Sequence, residues 1–224
     1  PVSIAIGAQS GRYNQGISTV AIGNNAGNNS QNDNAIAIGY GAGNYNQGSN
    51  SIAFGLDAAA TEQGVNAIAI GNSSGSNTQG ENSISIGFNS GVSNQDSNAI
   101  AIGNEAGNSQ QYFESISIGN RAGRNNQGLI GIAGATGLAI AIGSSAGETD
   151  QESGAIAIGG AAGNSSQGYC AIALGFGAGY ANQSNSGIAI GLNAGNSNQN
   201  DYSIAIGFLA GNLNQSSNSI SIGT

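Results

Sequence analysis

Residues 66–81 read NAIAIGNSSGSNTQGE, residues 82–97 NSISIGFNSGVSNQDS and residues 98–113 NAIAIGNEAGNSQQYF, three consecutive copies of one 16-residue unit. Outward from this stretch, the Gly that closes the apolar pentad recurs at Gly7, Gly23, Gly39, Gly55, Gly71, Gly87, Gly103 and Gly119. It resumes at Gly143, Gly159, Gly175, Gly191, Gly207 and Gly223. With that Gly as position zero, a Gln stands at plus eight in every complete unit: Gln15, Gln31, Gln47, Gln63, Gln79, Gln95, Gln111, Gln127, Gln151, Gln167, Gln183, Gln199 and Gln215. A repeat this regular encodes a one-dimensional array in which each unit meets copies of itself, and its function belongs to a long surface rather than to a pocket.

The pentad decides the secondary structure. Positions minus three and minus one are large aliphatics (Ile36 and Ile38, Ile100 and Ile102), whereas minus four and minus two are Ala, Ser, Thr or Gly. Alternation of period two is the pattern of a strand with two chemically distinct faces. A helix would need apolar spacings of three and four, and the Gly at zero and plus four would break it. Gly followed by Asn at one corner and Gln-Gly at the other supply the turns. The expected fold is therefore all-β, a parallel β-solenoid or β-roll of 16-residue coils. Residues 1–128 form eight coils, 129–138 a Gly-rich interruption, and 139–224 continue the array.

The same pattern assigns faces. The Ile pair is expected to point into the coil, against the small residue at plus three (Ala26, Ala42, Ser74, Ser90, Ala106, Ala162). Two Ile per coil bury too little apolar surface to offset the ordering of sixteen backbone residues. The Gln column is expected to add an amide ladder along the axis. The small column at minus four and minus two is then left as a flat outer face: Ala35, Ala37, Ser51, Ala53, Ala67, Ala69, Ser83, Ser85, Ala99 and Ala101. A strand apolar on both sides has both sides covered, so this face is expected to pack on another copy of the chain.

Composition removes whole classes of function. Eleven Asp and Glu stand against three Arg (Arg12, Arg121, Arg124) and no Lys, which leaves no footprint for nucleic acid. No apolar stretch approaches the ~20 residues of a membrane-spanning helix. The chain has no His, so the single Cys170 lacks the usual partner that makes a thiol nucleophilic, and no enzyme is expected. Acids are scattered without register. The nearest cluster, Glu148, Asp150 and Glu152, is of a type that ligates Ca²⁺, but reads better as a solvated turn. Neither a cofactor nor a metal site is expected. The aromatics near the turns keep no single column and read as corner packing sooner than as a stripe for stacking carbohydrate.

The pentads NAIAIG (66–71 and 98–103) and NSISIG (82–87 and 218–223) resemble the NSVAIG-type head motif of YadA-like trimeric autotransporter adhesins. The resemblance covers the whole chain, although the family's head repeat is 14 residues and lacks the Gln column. It implies a left-handed roll, three chains packed side by side, an extracellular place at a bacterial surface, and a host-surface or matrix ligand. Related repeats in viral or phage fibres imply a virion surface instead.

Between Gly119 and Gly143 the spacing is one unit plus eight residues, within GLIGIAGATGLA (128–139). This reads as a Gly-rich loop bulging from one coil, with a short collagen-like run as the alternative. Both PVSIAIG and SISIGT are ordinary repeat, and this carries the expectation that the chain continues or stacks end to end. The first functional reading is a structural and adhesive fibre segment, homotrimeric, at a cell or virion surface. The alternatives are a self-assembling filament subunit and, third, an ice-binding rod, against which stands the near absence of Thr from the pentads.

Overall fold

The computed structural model describes residues 2–129 and 137–223. Two compact units, Pro1–Gln110 and Gln111–Thr224, repeat the same design. The described residues contain strands and turns and no helix, and the chain is a parallel β-solenoid with coils of about 16 residues.

In the first unit the pentad strands Ile4–Ile6, Val20–Ile22, Ile36–Ile38, Ile52–Phe54, Ile68–Ile70, Ile84–Ile86 and Ile100–Ile102 pair in parallel, each residue with its equivalent one coil on. The second unit does the same with Ile116–Ile118, Ile140–Ile142, Ile156–Ile158, Ile172–Leu174, Ile188–Ile190, Ile204–Ile206 and Ile220–Ile222. A second run of strands carries the Gln: Tyr13–Gln15, Asn29–Gln31, Tyr45–Gln47 and Ser93–Gln95 in the first unit. In the second unit it comprises Asn125–Leu129, Thr149–Glu152, Ser165–Gln167, Ala181–Gln183 and Ser197–Gln199. Between Gln47 and Gln95 this run thins to single bridges from Gln to Gln.

The structure reverses the expected faces. Ala35, Ala37, Ala53, Ala67, Ala69, Ser83, Ser85, Ala99 and Ala101 are wholly buried within the single chain, and Ser51 almost so. The small column is therefore the core and not an assembly face, and the Ile pairs point outward. The reason is the thinness of the coil. A Cβ placed at Gly27 would sit 3.2 Å from the Ala21 Cβ and 2.6 Å from the Gln31 Oε1, so the interior is already filled by Ala, Gly and the Gln side chain. Nothing as large as Ile fits there. The plus-three residues Ala26, Ala42, Ser74, Ser90, Ala106 and Ala162 are buried as expected, but they lie in the turn and face this small-residue core.

Two backbone requirements explain the remaining columns. Gly at zero has φ near 130°, and a Cβ on Gly71 would lie 2.5 Å from the carbonyl oxygen of Gly87 in the next coil. Positions plus two and plus eleven, and plus seven except at Glu62 and Thr78, adopt left-handed backbone, as at Asn89, Asn94 and Asn98 (φ 51°, 53° and 60°). Asn tolerates that region better than most residues, which accounts for the Asn that precedes so many pentads.

The interruption leaves the pentad register intact, while in the Gln run the register shifts between Gln127 and Leu129, where Leu129 pairs with Glu152. Ile116 pairs with Ile140 and Asn125 with Thr149, as in uninterrupted coils. Gly137 N–H donates to the Gly128 carbonyl at 2.8 Å and Leu138 N–H to that of Phe113 at 2.9 Å, so the chain returns to the coil where it left it. Residues 130–136 of the expected interruption lie outside the described residues.

Candidate functional site

The feature that sets this molecule apart is what covers its outside. Because strand side chains alternate and minus four and minus two point inward, minus three and minus one must form two parallel outward columns. In the first unit they run through Val20 and Ile22, Ile36 and Ile38, Ile52 and Phe54, Ile68 and Ile70, Ile84 and Ile86, to Ile100 and Ile102, all half-buried or exposed. Phe54 is 51% exposed and Ile70 37%. The second unit repeats the columns from Ile116 and Ile118 to Ile220 and Ile222, with Leu174 42% exposed. No charged or polar side chain interrupts either column. At the usual strand spacing of ~4.8 Å, seven strands give an apolar stripe about 30 Å long in each unit.

Behind this face the Gln column ties the coil together. Gln79 Nε2 donates to the Ile68 carbonyl at 2.8 Å and Gln167 Nε2 to that of Ile156 at 2.8 Å, across the interior. Amide-to-amide contacts run along the axis from Gln63 to Gln79, Gln111 to Gln127, Gln151 to Gln167, Gln167 to Gln183 and Gln183 to Gln199, at 3.1–3.2 Å. The column is thus a cross-coil strut first and an axial ladder second. Gln31, Gln47, Gln95 and the rest through Gln199 are buried, Gln215 is 7% exposed and Gln15 is half-buried.

Gln79→Ala removes the strut to Ile68 and the acceptor for Gln63 from a closed interior, with an expected loss of about 1–3 kcal/mol. Gln215→Ala, whose contacts run to the Ile204 and Ser219 carbonyls near a more open end, should cost less. Urea melts of the two variants compare them directly. Equal and negligible shifts would show that the amides do not hold the coil.

The other sequence candidates do not converge. Glu148 pairs with Arg121 at 2.5 Å and accepts from Asn164 at 3.2 Å, while Asp150 accepts from Asn126 at 2.7 Å. Among the described residues no three His, Cys, Asp or Glu come together as a metal site. Cys170 is exposed on a left-handed turn. Its side-chain hydrogen bond raises the neighbouring Tyr169 phenol above its ordinary value, with the charge of a Cys170 thiolate and burial acting in the same direction.

Sequence reasoning missed two amide ladders, one on the corner before the pentad and one along the run of strands that carries the Gln. Asn34 donates to Asn50, Asn50 to Asn66 and Asn66 to Asn82, at 3.0–3.3 Å; Asn182, Asn198 and Asn214 form a second series at 2.8–3.0 Å. On the corner that carries Asn34, Asp33 accepts from the Ile17 N–H, and Asp201 at the equivalent place accepts from that of Asn185, each one coil back. The signal was present as Asn or Asp repeating in single columns. No protein-family model matches the sequence, and no curated protein does. The surface itself must carry the functional argument.

Proposed function

We propose that this chain is a segment of an extracellular structural and adhesive fibre, at a cell or virion surface, that associates laterally with copies of itself as a homotrimer. The observation that carries this reading is the pair of outward aliphatic columns. Monomeric soluble proteins rarely leave a continuous apolar patch beyond a few hundred Å² facing water, and a face this flat and regular is best matched by an identical repeat on a second chain. Fully burying an Ile is worth about 1.5–3 kcal/mol. Side chains already half covered therefore gain ~1 kcal/mol each, and the gain adds up along the columns. The pentads' resemblance to adhesin head repeats supports three chains and a surface location. Adhesion by such a fibre rests on many weak, repeated contacts.

Light scattering tests the assembly. The wild-type chain is expected at three times the chain mass, and Ile68→Glu with Ile100→Glu is expected to bring it to single chains while circular dichroism keeps its β signal, because both positions face outward. A single-chain mass for the wild type would contradict lateral association. A mass that climbs without limit as concentration rises would favour the end-to-end filament.

A further inference from the structure

Two coils depart from the repeat in the same way. Residues 38–45 read IGYGAGNY and residues 174–180 read LGFGAGY, each with an aromatic at plus one, Gly at plus two and Tyr at plus five or plus six. No other coil has Gly at plus two; the equivalents include Asn25, Ser73, Asn89, Glu105 and Arg121. Gly41 and Gly177 have φ of 64° and 63°, a conformation that Asn25, Asn89 and Arg121 adopt at the same point. Backbone freedom therefore does not explain these glycines, and room does. A Cβ on Gly177 would collide with Asn193 Oδ1, and one on Gly41 with Asp57 Oδ1. In each case an acceptor oxygen from the next coil lies over the glycine, beside the aromatic.

In the second unit this arrangement opens a groove of about 370 Å³ lined by Phe176, Gly177, Tyr180, Asn193, Asn196 and Asn212, among others. That lies within the range of small-ligand sites, roughly 300–1,000 Å³. Phe176 is 64% and Tyr180 43% exposed, which leaves ring surface open at the groove. Asn196 Nδ2 donates to the Gly177 carbonyl at 2.9 Å and Asn212 Nδ2 to that of Asn193 at 3.2 Å. These bonds, with a longer contact from Asn196 Nδ2 to Asn193 Oδ1 at 3.5 Å, fix the amides that line the groove. No charged side chain lines the groove.

We infer that this groove is a saccharide-binding site, with the Tyr40–Gly41–Asp57 coil as a second, related one. A neutral ligand with an apolar C–H face and many hydroxyls fits the lining: the C–H face lies on the electron-rich ring of Phe176 or Tyr180, and hydroxyls bond to fixed amides. A cationic or anionic ligand finds no partner in the Phe176 groove. The groove sits on the turn after the pentad strand, off the outward aliphatic columns, and the inference does not depend on lateral assembly.

Saturation-transfer NMR and titration of the full chain with chitotriose, cellotriose, maltotriose and methyl α-mannoside test the inference. At least one sugar is expected to bind, with Phe176→Ala weakening it tenfold or more at the second-unit site and Tyr40→Ala with Phe176→Ala abolishing it. Gly177→Asn, which restores the residue common at plus two, should fill the hollow and weaken binding as much while preserving the fold. Absence of binding by all four sugars, or binding unchanged in Phe176→Ala and Gly177→Asn, overturns it. Oligomer mass measured on the same samples reports separately on assembly.

Discussion

Ala69→Glu is expected to unfold its coil rather than separate one chain from another. Ala69 is wholly buried, and a Cβ on Gly75 would lie 3.4 Å from its methyl and 2.8 Å from Gln79 Oε1. A Glu there adds bulk that a filled core resists at about 1–3 kcal/mol. It also buries a carboxylate with no cation near it, which costs several kcal/mol more or forces the group to take up a proton. The total should exceed ~4 kcal/mol, a loss confined to a few drastic mechanisms. Because each coil is the template for the next, the damage should spread to its neighbours. Hydrogen exchange should show lost protection centred on residues 53–85. Full protection with only a fall in oligomer mass would mean that the small column faces outward after all.

Gly71→Ala should be nearly as damaging, although it adds a single methyl group. Gly71 has φ 127°, outside the regions open to L-residues, and its Cβ would lie 2.5 Å from the Gly87 carbonyl oxygen and 2.8 Å from its carbon. The obstruction is the backbone of a stacked coil, which cannot swing aside as a side chain can. Backbone strain of about 1–3 kcal/mol adds to the separation of two paired strands, so a loss above ~3 kcal/mol is expected in denaturant melts. Asn89→Gly, at a left-handed corner with φ 51°, is the matched control and should change stability by well under ~1 kcal/mol. Similar small effects from both substitutions would contradict close stacking at the zero position.

The period, the strand at the pentad and the two corners were all legible, because each rests on local chemistry repeated many times over. The direction of the strand's faces was not. Alternation shows that Ile36 and Ala37 point opposite ways, but which side is the core depends on how far apart the coil's walls stand. Hydrophobicity alone favoured Ile inside. The deciding clue was Gly at plus four, as at Gly43, where a Cβ would press on both Gln47 Oε1 and the Ala37 methyl; a column of Gly broken only by the small Ala59 marks a coil too thin for Ile. The left-handed corners were half legible, through Asn34, Asn50 and Asn66. The groove at Phe176 was obscured because its aromatics keep no column, and only the loss of a side chain at Gly177 picks it out.

Disulfide trapping at the outward columns tests most directly the claim that copies of this chain cover them. Ile102→Cys, in a Cys170→Ser background that removes the exposed native thiol, puts a thiol in the aliphatic face of the first unit. Mild oxidation is expected to give covalently linked chains in high yield, whereas Asn66→Cys on the corner gives none. If Ile102→Cys yields no linked product and reacts with a maleimide as fast as Asn66→Cys does, the aliphatic face stands open to water and the lateral assembly is wrong.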